Sequence, residues 1–172
     1  MKTQLKTNMK KILFLLFITI TFIGCEKDDI CIDETTPRLI LEFYDISNPS
    51  NLKNVVNLKI KGVGLTDDLG TFNNISKVEL PLKIDDLTTK YSLILNSTGV
   101  NPNEDFLQFN YTHQNIFVTR ACGYKTIFEL DAFPTGVIKT DAATPDGFWI
   151  QDINILTTNI ETENETHIKI LF

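Results

Sequence analysis

Histidine, cysteine and tryptophan are scarce in this chain: two, three and one among 172 residues. So few cysteines, with no clustered histidine beside them, make poor zinc ligands. No serine occupies a Gly-x-Ser-x-Gly elbow, so that route to nucleophilic catalysis has no carrier. Long apolar runs are also missing, with one exception at Ile12–Ile23, interrupted only by Thr19 and Thr21. Its twelve residues fall short of the roughly 20 that cross a bilayer as a helix. Beyond it no window holds a sustained 3.6-residue period, which argues against an α or α/β domain. Positive charge is equally thin once the N-terminus is set aside. Residues 1–24 carry four lysines and no acid, and without them twelve basic residues face 22 acidic ones, a formal charge of −10. Such a domain lacks the Lys/Arg clusters that grip nucleic-acid phosphates or anionic lipid, and its acidity reads as solubility.

What is present begins with an address. Lys10-Lys11 followed by the short apolar run is the pattern of a secretory signal, and Met9 is as good a start for it as Met1. The run ends Phe22-Ile23-Gly24-Cys25, which resembles a lipobox with phenylalanine where leucine is usual. Cleavage after residue 24 and acylation of Cys25 are expected; a plain secretory signal and an uncleaved anchor are the alternatives. Cys25-Glu26-Lys27-Asp28-Asp29 resembles the export signal of Bacteroidetes-type lipoproteins, in which a lysine and two acids (here Lys27, Asp28 and Asp29) follow the acylated cysteine. The resemblance implies display on the outer face of the outer membrane. The plainer alternative is a charged, soluble linker. Three segments are therefore expected: a signal peptide over 1–24, a lipidated polar tether over 25–36, and one domain over 37–172.

With Cys25 lipidated, Cys31 and Cys122 remain, an even number in an oxidising compartment. A disulfide between them is the economical reading, with free thiols or a metal site as alternatives. It would close a loop of about 90 residues, and the chain-entropy account places such loops near the upper end of ~2–4 kcal/mol.

The rest reads as strands. Leu39, Leu41 and Phe43 alternate within Arg38–Asp45. Over Asn54–Lys61 the pattern puts Val56, Leu58 and Ile60 inward and Val55 outward, and over Lys77–Ile84 it puts Val78, Leu80, Leu82 and Ile84 inward. Tyr91–Leu95, Leu107–Thr112, Ile116–Thr119, Tyr124–Leu130, Trp149–Ile155 and Ile168–Phe172 continue the alternation. Period two marks half-buried antiparallel strands. Asn48-Pro49-Ser50, Gly62-Val63-Gly64, Thr66-Asp67-Asp68, Asn101-Pro102-Asn103, Phe133-Pro134-Thr135-Gly136 and Thr144-Pro145-Asp146-Gly147 read as turns. Pro81 makes its strand an edge or a bulge. The expectation is an all-β antiparallel sandwich of about seven to nine strands, immunoglobulin-like in outline but without the hallmark spacings, since Trp149 follows both cysteines.

Several stretches together are similar to one family. Cys-Glu-Lys-Asp-Asp-Ile-Cys at 25–31, Thr36-Pro37-Arg38-Leu39 running into Phe43-Tyr44-Asp45, and Phe117-Val118-Thr119-Arg120-Ala121-Cys122-Gly123-Tyr124 resemble the domain of unknown function 6452 family of small Bacteroidetes-type lipoproteins. The resemblance covers most of the mature chain. It implies lipid anchoring and one compact domain, agrees with a Cys31–Cys122 pair, and implies no activity, so no catalytic residue carries over.

Candidates for chemistry are few. His113 and His167 read as polar positions at strand ends. The acid pairs Asp67-Asp68, Asp85-Asp86 and Glu104-Asp105, and the runs Asp141–Asp146 and Glu161–Glu165, read as solvated turns without the ligand spacing of a calcium loop. Arg120, beside Cys122, reads first as structural, able to reach a tether carboxylate such as Asp28, Asp29 or Asp33, and second as part of a binding surface. Trp149 is the other binding-surface candidate, because an exposed ring could stack on a sugar. No catalytic group, metal or cofactor is expected. The reading is a lipid-anchored, non-catalytic binding or structural module at the cell surface. Its partners would be the membrane and an envelope protein or glycan, not nucleic acid. The alternative is a periplasm-facing assembly or stability factor that holds an outer-membrane partner by its sheet edge.

Overall fold

The computed structural model describes residues 30–32, 35–64 and 68–172. The expected signal peptide, Cys25, Lys27, Asp28 and Asp29 lie outside the described residues, as do Asp33, Thr66 and Asp67. The chain divides into two units, residues 1–31 and 32–172, and the second holds all the strands described below. Among the described residues no helix is long and apolar enough to cross a membrane.

The described residues of unit 32–172 form an all-β sandwich of twelve strands. These are β1 (Leu39–Asp45), β2 (Asn48–Leu52), β3 (Leu58–Gly62), β4 (Asp68–Phe72), β5 (Lys77–Leu80), β6 (Thr88–Leu95), β7 (Asn103–Thr119), β8 (Gly123–Leu130), β9 (Val137–Asp141), β10 (Asp152–Ile155), β11 (Asn159–Ile160) and β12 (Ile168–Leu171). One sheet runs β10-β12-β1-β2, with β5 also on β1; the other runs β11-β8-β7-β6-β3-β4, with β9 also on β7. Leu39, Leu41, Phe43, Val78, Leu80, Ile168 and Ile170 of the first sheet meet Leu58, Ile60, Tyr91, Leu93, Leu107, Phe109, Tyr111, Phe128 and Leu130 of the second in one core. Their alternation along each strand is what aims them inward. The β1–β12 pair is parallel, against the antiparallel expectation, and every other strand pair is antiparallel.

The count exceeds the seven to nine strands expected because short, polar or edge strands leave little alternation to read. Asn48-Pro49-Ser50, expected as a turn, opens the fully exposed β2, which pairs with the C-terminal end of β1. Residues 107–112 and 116–119, expected as two strands, belong to the single 17-residue β7. The inward set expected over 54–61 is wrong at its start: Val55 is buried and Val56 is 59% exposed. Asn57 between them and Leu58 has φ of 51°, and this left-handed residue reverses which parity faces the core. Val55 then bridges Ile75 instead of continuing β3.

Pro81 was expected in an edge or bulged strand: β5 is an edge, pairing with β1 alone among the described residues, and it stops at Leu80, just before the proline. The chain leaves β5 there and crosses to the other sheet, and Ile84, expected inward, is exposed. Two core tyrosines hold the crossing. The Tyr91 hydroxyl donates to the Pro81 carbonyl, and the Tyr111 hydroxyl to the Lys83 carbonyl at 2.9 Å. Both rings bury their apolar bodies and use their only polar atom on a backbone acceptor that would otherwise lack one.

Along β7, β6 takes one edge of residues 103–110 and β9 the opposite edge of 105–109, while β8 pairs with 111–119. The Asn110 N–H donates to Gly136 and its carbonyl accepts from Asp131, both at 3.0 Å, so β8 and β9 lie end to end along one edge. Residues 131–136 are looped out between them. Gly136 is required there, since a Cβ would run into the Asp131 carbonyl.

Candidate functional site

Among the described residues, Asp105 in β7 of one sheet and His167 just before β12 of the other are ionisable side chains with no exposed surface. His167 precedes β12, and its Nδ1 accepts the Ile40 N–H at 2.9 Å while the Ile40 carbonyl accepts the His167 N–H at 3.2 Å. The acceptor role at Nδ1 puts the proton of the neutral ring on Nε2, which is buried without a well-formed partner among the described residues. Burial holds its pKa below the ordinary histidine value, opposed by Glu165, Glu163 and the Thr162 carbonyl. The ring therefore splices β1 to β12 as a neutral group. The expectation of a polar strand-end histidine was right about its place in the chain and wrong about its environment.

Asp105 lies in β7 with the inward parity of Leu107 and Phe109. Its Oδ2 accepts the Ile150 N–H at 2.8 Å, and Oδ1 has no partner among the described residues. Burial raises its pKa to about 6, opposed mainly by the Ile150 amide and the Lys139 ammonium. Glu104-Asp105 is thus not a solvated turn: the pair sits inside a strand, and the carboxyl fastens residues 149–150 over the end of the sandwich.

Trp149, expected as a surface candidate, is part of that closure. It is buried, its indole N–H donates to the Leu93 carbonyl at 3.1 Å, and its ring packs 6.3 Å from Phe43 and 5.5 Å from Phe172. A stacking platform needs an open face, and this ring is buried in the core. Arg120 is exposed in the β7–β8 turn and pairs with no carboxylate among the described residues. Cys31 and Cys122 are both disulfide-bonded, and the Cys122 N–H donates to Thr119 Oγ1 at 3.1 Å in that turn.

The remaining candidates do not converge. His113 lies within β7, edge-on to Phe128, and His167 belongs to the other sheet. Glu163 takes two bonds from the Arg38 guanidinium, at 2.7 and 2.6 Å, and Glu79 shares that guanidinium at 2.5 Å. Asp141 accepts the Ala142 and Gly147 N–H groups and so shapes its own loop. No three His, Cys, Asp or Glu side chains among the described residues are placed to hold a metal ion.

Three hollows deserve comparison by their chemistry. The widest, about 560 Å³, lies where residues 35–38 enter the domain beside Glu79 and Glu163, and its cation is already neutralised by two carboxylates. A second, about 180 Å³, runs along His113, Phe128 and Asn159. The third opens between β9 of one sheet and β10 of the other. Val137, Ile153 and Ile155 form its floor, Lys139, Gln151 and Asp152 its rim, and Phe133, 84% exposed, stands beside it. Lys139 donates to the Ile150 and Gln151 carbonyls and lies 4.2 Å from the Phe148 ring centre. Among the described residues β9 pairs only with β7 and β10 only with β12, so both strands present a free edge. At about 180 Å³ the cleft is too small to enclose a ligand of ordinary pocket size. It suits one or two apolar side chains of an extended segment laid along a strand edge. The sequence did not point to it, because β9 carries little alternation and its partner β10 comes from the other sheet.

Residues 57–172 match the Family of unknown function (DUF6452), and the chain belongs to that family. No curated protein and no solved structure matches it.

Proposed function

We propose that this DUF6452 member is a lipid-anchored outer-membrane lipoprotein whose β-sandwich is a non-catalytic binding module displayed at the cell surface. The lipid on Cys25 is its attachment to the membrane, and an envelope protein is its partner. The observation that carries the binding reading is the cleft between β9 and β10, where an apolar floor lies between two free strand edges beside an exposed phenylalanine. A partner strand laid there gains backbone hydrogen bonds from one edge and places side chains on Val137, Ile153 and Ile155. The anchor reading rests on the lipobox-like Phe22-Ile23-Gly24-Cys25 and on the acid-rich residues behind it.

The same free edges also serve the alternative, a periplasm-facing assembly or stability factor, since edge pairing is indifferent to which leaflet the domain faces. A photo-crosslinking residue at position 133, introduced into the full chain in its own cells, tests the proposal. One discrete protein adduct, lost when Ile153 is replaced by lysine, is expected; a glycan adduct or no adduct overturns the protein-binding reading. Protease shaving of intact cells then decides the face. Cleavage before the envelope is broken supports surface display, and protection until it is broken supports the periplasmic alternative. Substituting Cys25→Ser should move the protein out of the membrane fraction.

A further inference from the structure

The end of the β7–β8 hairpin is built unlike the rest of the molecule. Phe117 is 59% and Tyr124 71% exposed, and the two rings meet edge-on across the hairpin, 5.5 Å between centroids at 70°. They lie on facing strands, directly opposite one another in the register. An isolated exposed apolar residue needs no explanation, but a paired aromatic cluster at a turn leaves apolar area in water that a contact would remove. The charge there is also unusual for a chain this acidic. Between Asp105 and Glu129 there is no acid at all, while Arg120 and Lys125 flank the turn.

The turn is tied to the N-terminal segment. Cys122 in the turn and Cys31 are disulfide-bonded, and six peptide steps separate Cys31 from Cys25. A chain spans at most ~3.6 Å per residue, so these six steps reach no further than about 22 Å. With the roughly 6 Å between the Cα atoms of a disulfide added, a diacylglycerol on Cys25 would hold the turn within about 28 Å of the headgroups, however the tether is arranged. The opposite end of β7 lies roughly 50 Å away along the strand, at about 3.3 Å per residue.

From these observations we infer that the Phe117–Tyr124 pair at the β7–β8 turn rests in the headgroup region of the bilayer and orients the domain on it. The inference rests on the lipid-anchor reading of Cys25. A tyrosine with an apolar body and a polar hydroxyl suits the membrane–water interface, and the arms of Arg120 and Lys125 can lie along it with their charges in water. The rings carry the contact. The sequence between Cys25 and Cys31 also carries Glu26, Asp28 and Asp29, so net charge favours no strong attraction to anionic lipid. With the turn at the surface, the 97–102 loop points away from it, at the far end of β7.

Depth-dependent quenching tests this on the full lipidated chain, purified from membranes and reconstituted in phosphatidylcholine vesicles with brominated acyl chains. Tryptophan is introduced in turn at Phe117, at Tyr124 and at Val100, which is 94% exposed in the distal loop. Buried Trp149 of the parent chain supplies the background. Phe117→Trp and Tyr124→Trp should each lose about threefold more fluorescence than Val100→Trp, as expected for an interfacial ring against one in water. Equal quenching at 117, 124 and 100 in protein that floats with the vesicles overturns the inference and leaves the anchor standing. Failure of the parent to float, or flotation of its Cys25→Ser variant equal to the parent, removes the anchor and the inference with it. Two probe positions on opposite strands guard against one misfolded variant.

Discussion

The two halves of β7 have the same strand geometry and opposite fates. In the first, Asp105, Leu107, Phe109 and Tyr111 are all buried, with β6 on one edge and β9 on the other. In the second, residues 112–119 have only β8 beside them, and no residue of that half is fully buried. The second half is held by its ladder to β8 and by ring contacts across that pair, while the first half also supplies the core. One half stabilises the fold, and the other can change its surface at little cost to stability.

The largest effect that would test this contrast is at the closure of the buried half. Trp149→Ala removes a ring packed against Phe43 and Phe172, and should lower the unfolding free energy by about 3–5 kcal/mol in urea denaturation. Next comes the disulfide of Cys122 in the projecting half. Its reduction, or Cys122→Ser, should cost about 2–4 kcal/mol, because releasing a loop of this length restores entropy to the unfolded chain. Thiol labelling that is equal with and without reductant would contradict the bridge.

Asp105→Asn should have a smaller effect of opposite sign. The folded-state pKa of Asp105, about 6, lies above the ordinary unfolded value of about 3.9. The folded chain therefore binds the proton more tightly, and this residue's contribution to stability declines as pH rises from about 4 to 6, then levels off. Asparagine keeps an oxygen for the Ile150 N–H without the buried charge. It should gain about 1–2 kcal/mol at pH 7–8 and nothing at pH 4. His167 and Glu163, both with lowered pKa values, lose stability toward acid, so thermal melts of Asp105→Asn should show a steeper acid-side decline than the parent. A parallel pair of pH curves would mean that burial does not raise the Asp105 pKa as described. Last, Phe117→Ala should change stability by less than about 0.5 kcal/mol in the soluble domain. A loss approaching that of Trp149→Ala would erase the distinction between the halves.

Much of the sandwich was legible locally. Leu39, Leu41 and Phe43, then Tyr91 and Leu93, then Ile168 and Ile170 face the core as their alternation required. Val55 and Val56 were misread because a single left-handed Asn57 resets the phase, and asparagine signals that conformation only weakly. The candidate cleft was illegible: the two sides of its floor, Val137 and Ile153 with Ile155, come from different sheets and are brought together through pairings with β7 and β12. Trp149 looked like a surface ring because a turn precedes it, and turn signals say nothing of what lies above the turn.

By itself the sequence determined that this chain would fold as strands, which parity of most strands is apolar, and that a cysteine pair would be available near the N-terminus and mid-chain. Those are local properties, written in period-two alternation and in residue counts. Only the tertiary structure decided that β7 runs unbroken for 17 residues, that Asp105 and His167 are buried on backbone amides, and that β9 and β10 leave a cleft between them. Each of these depends on which strands pair across long stretches of chain, and pairing is set by the partner's register as much as by the strand itself.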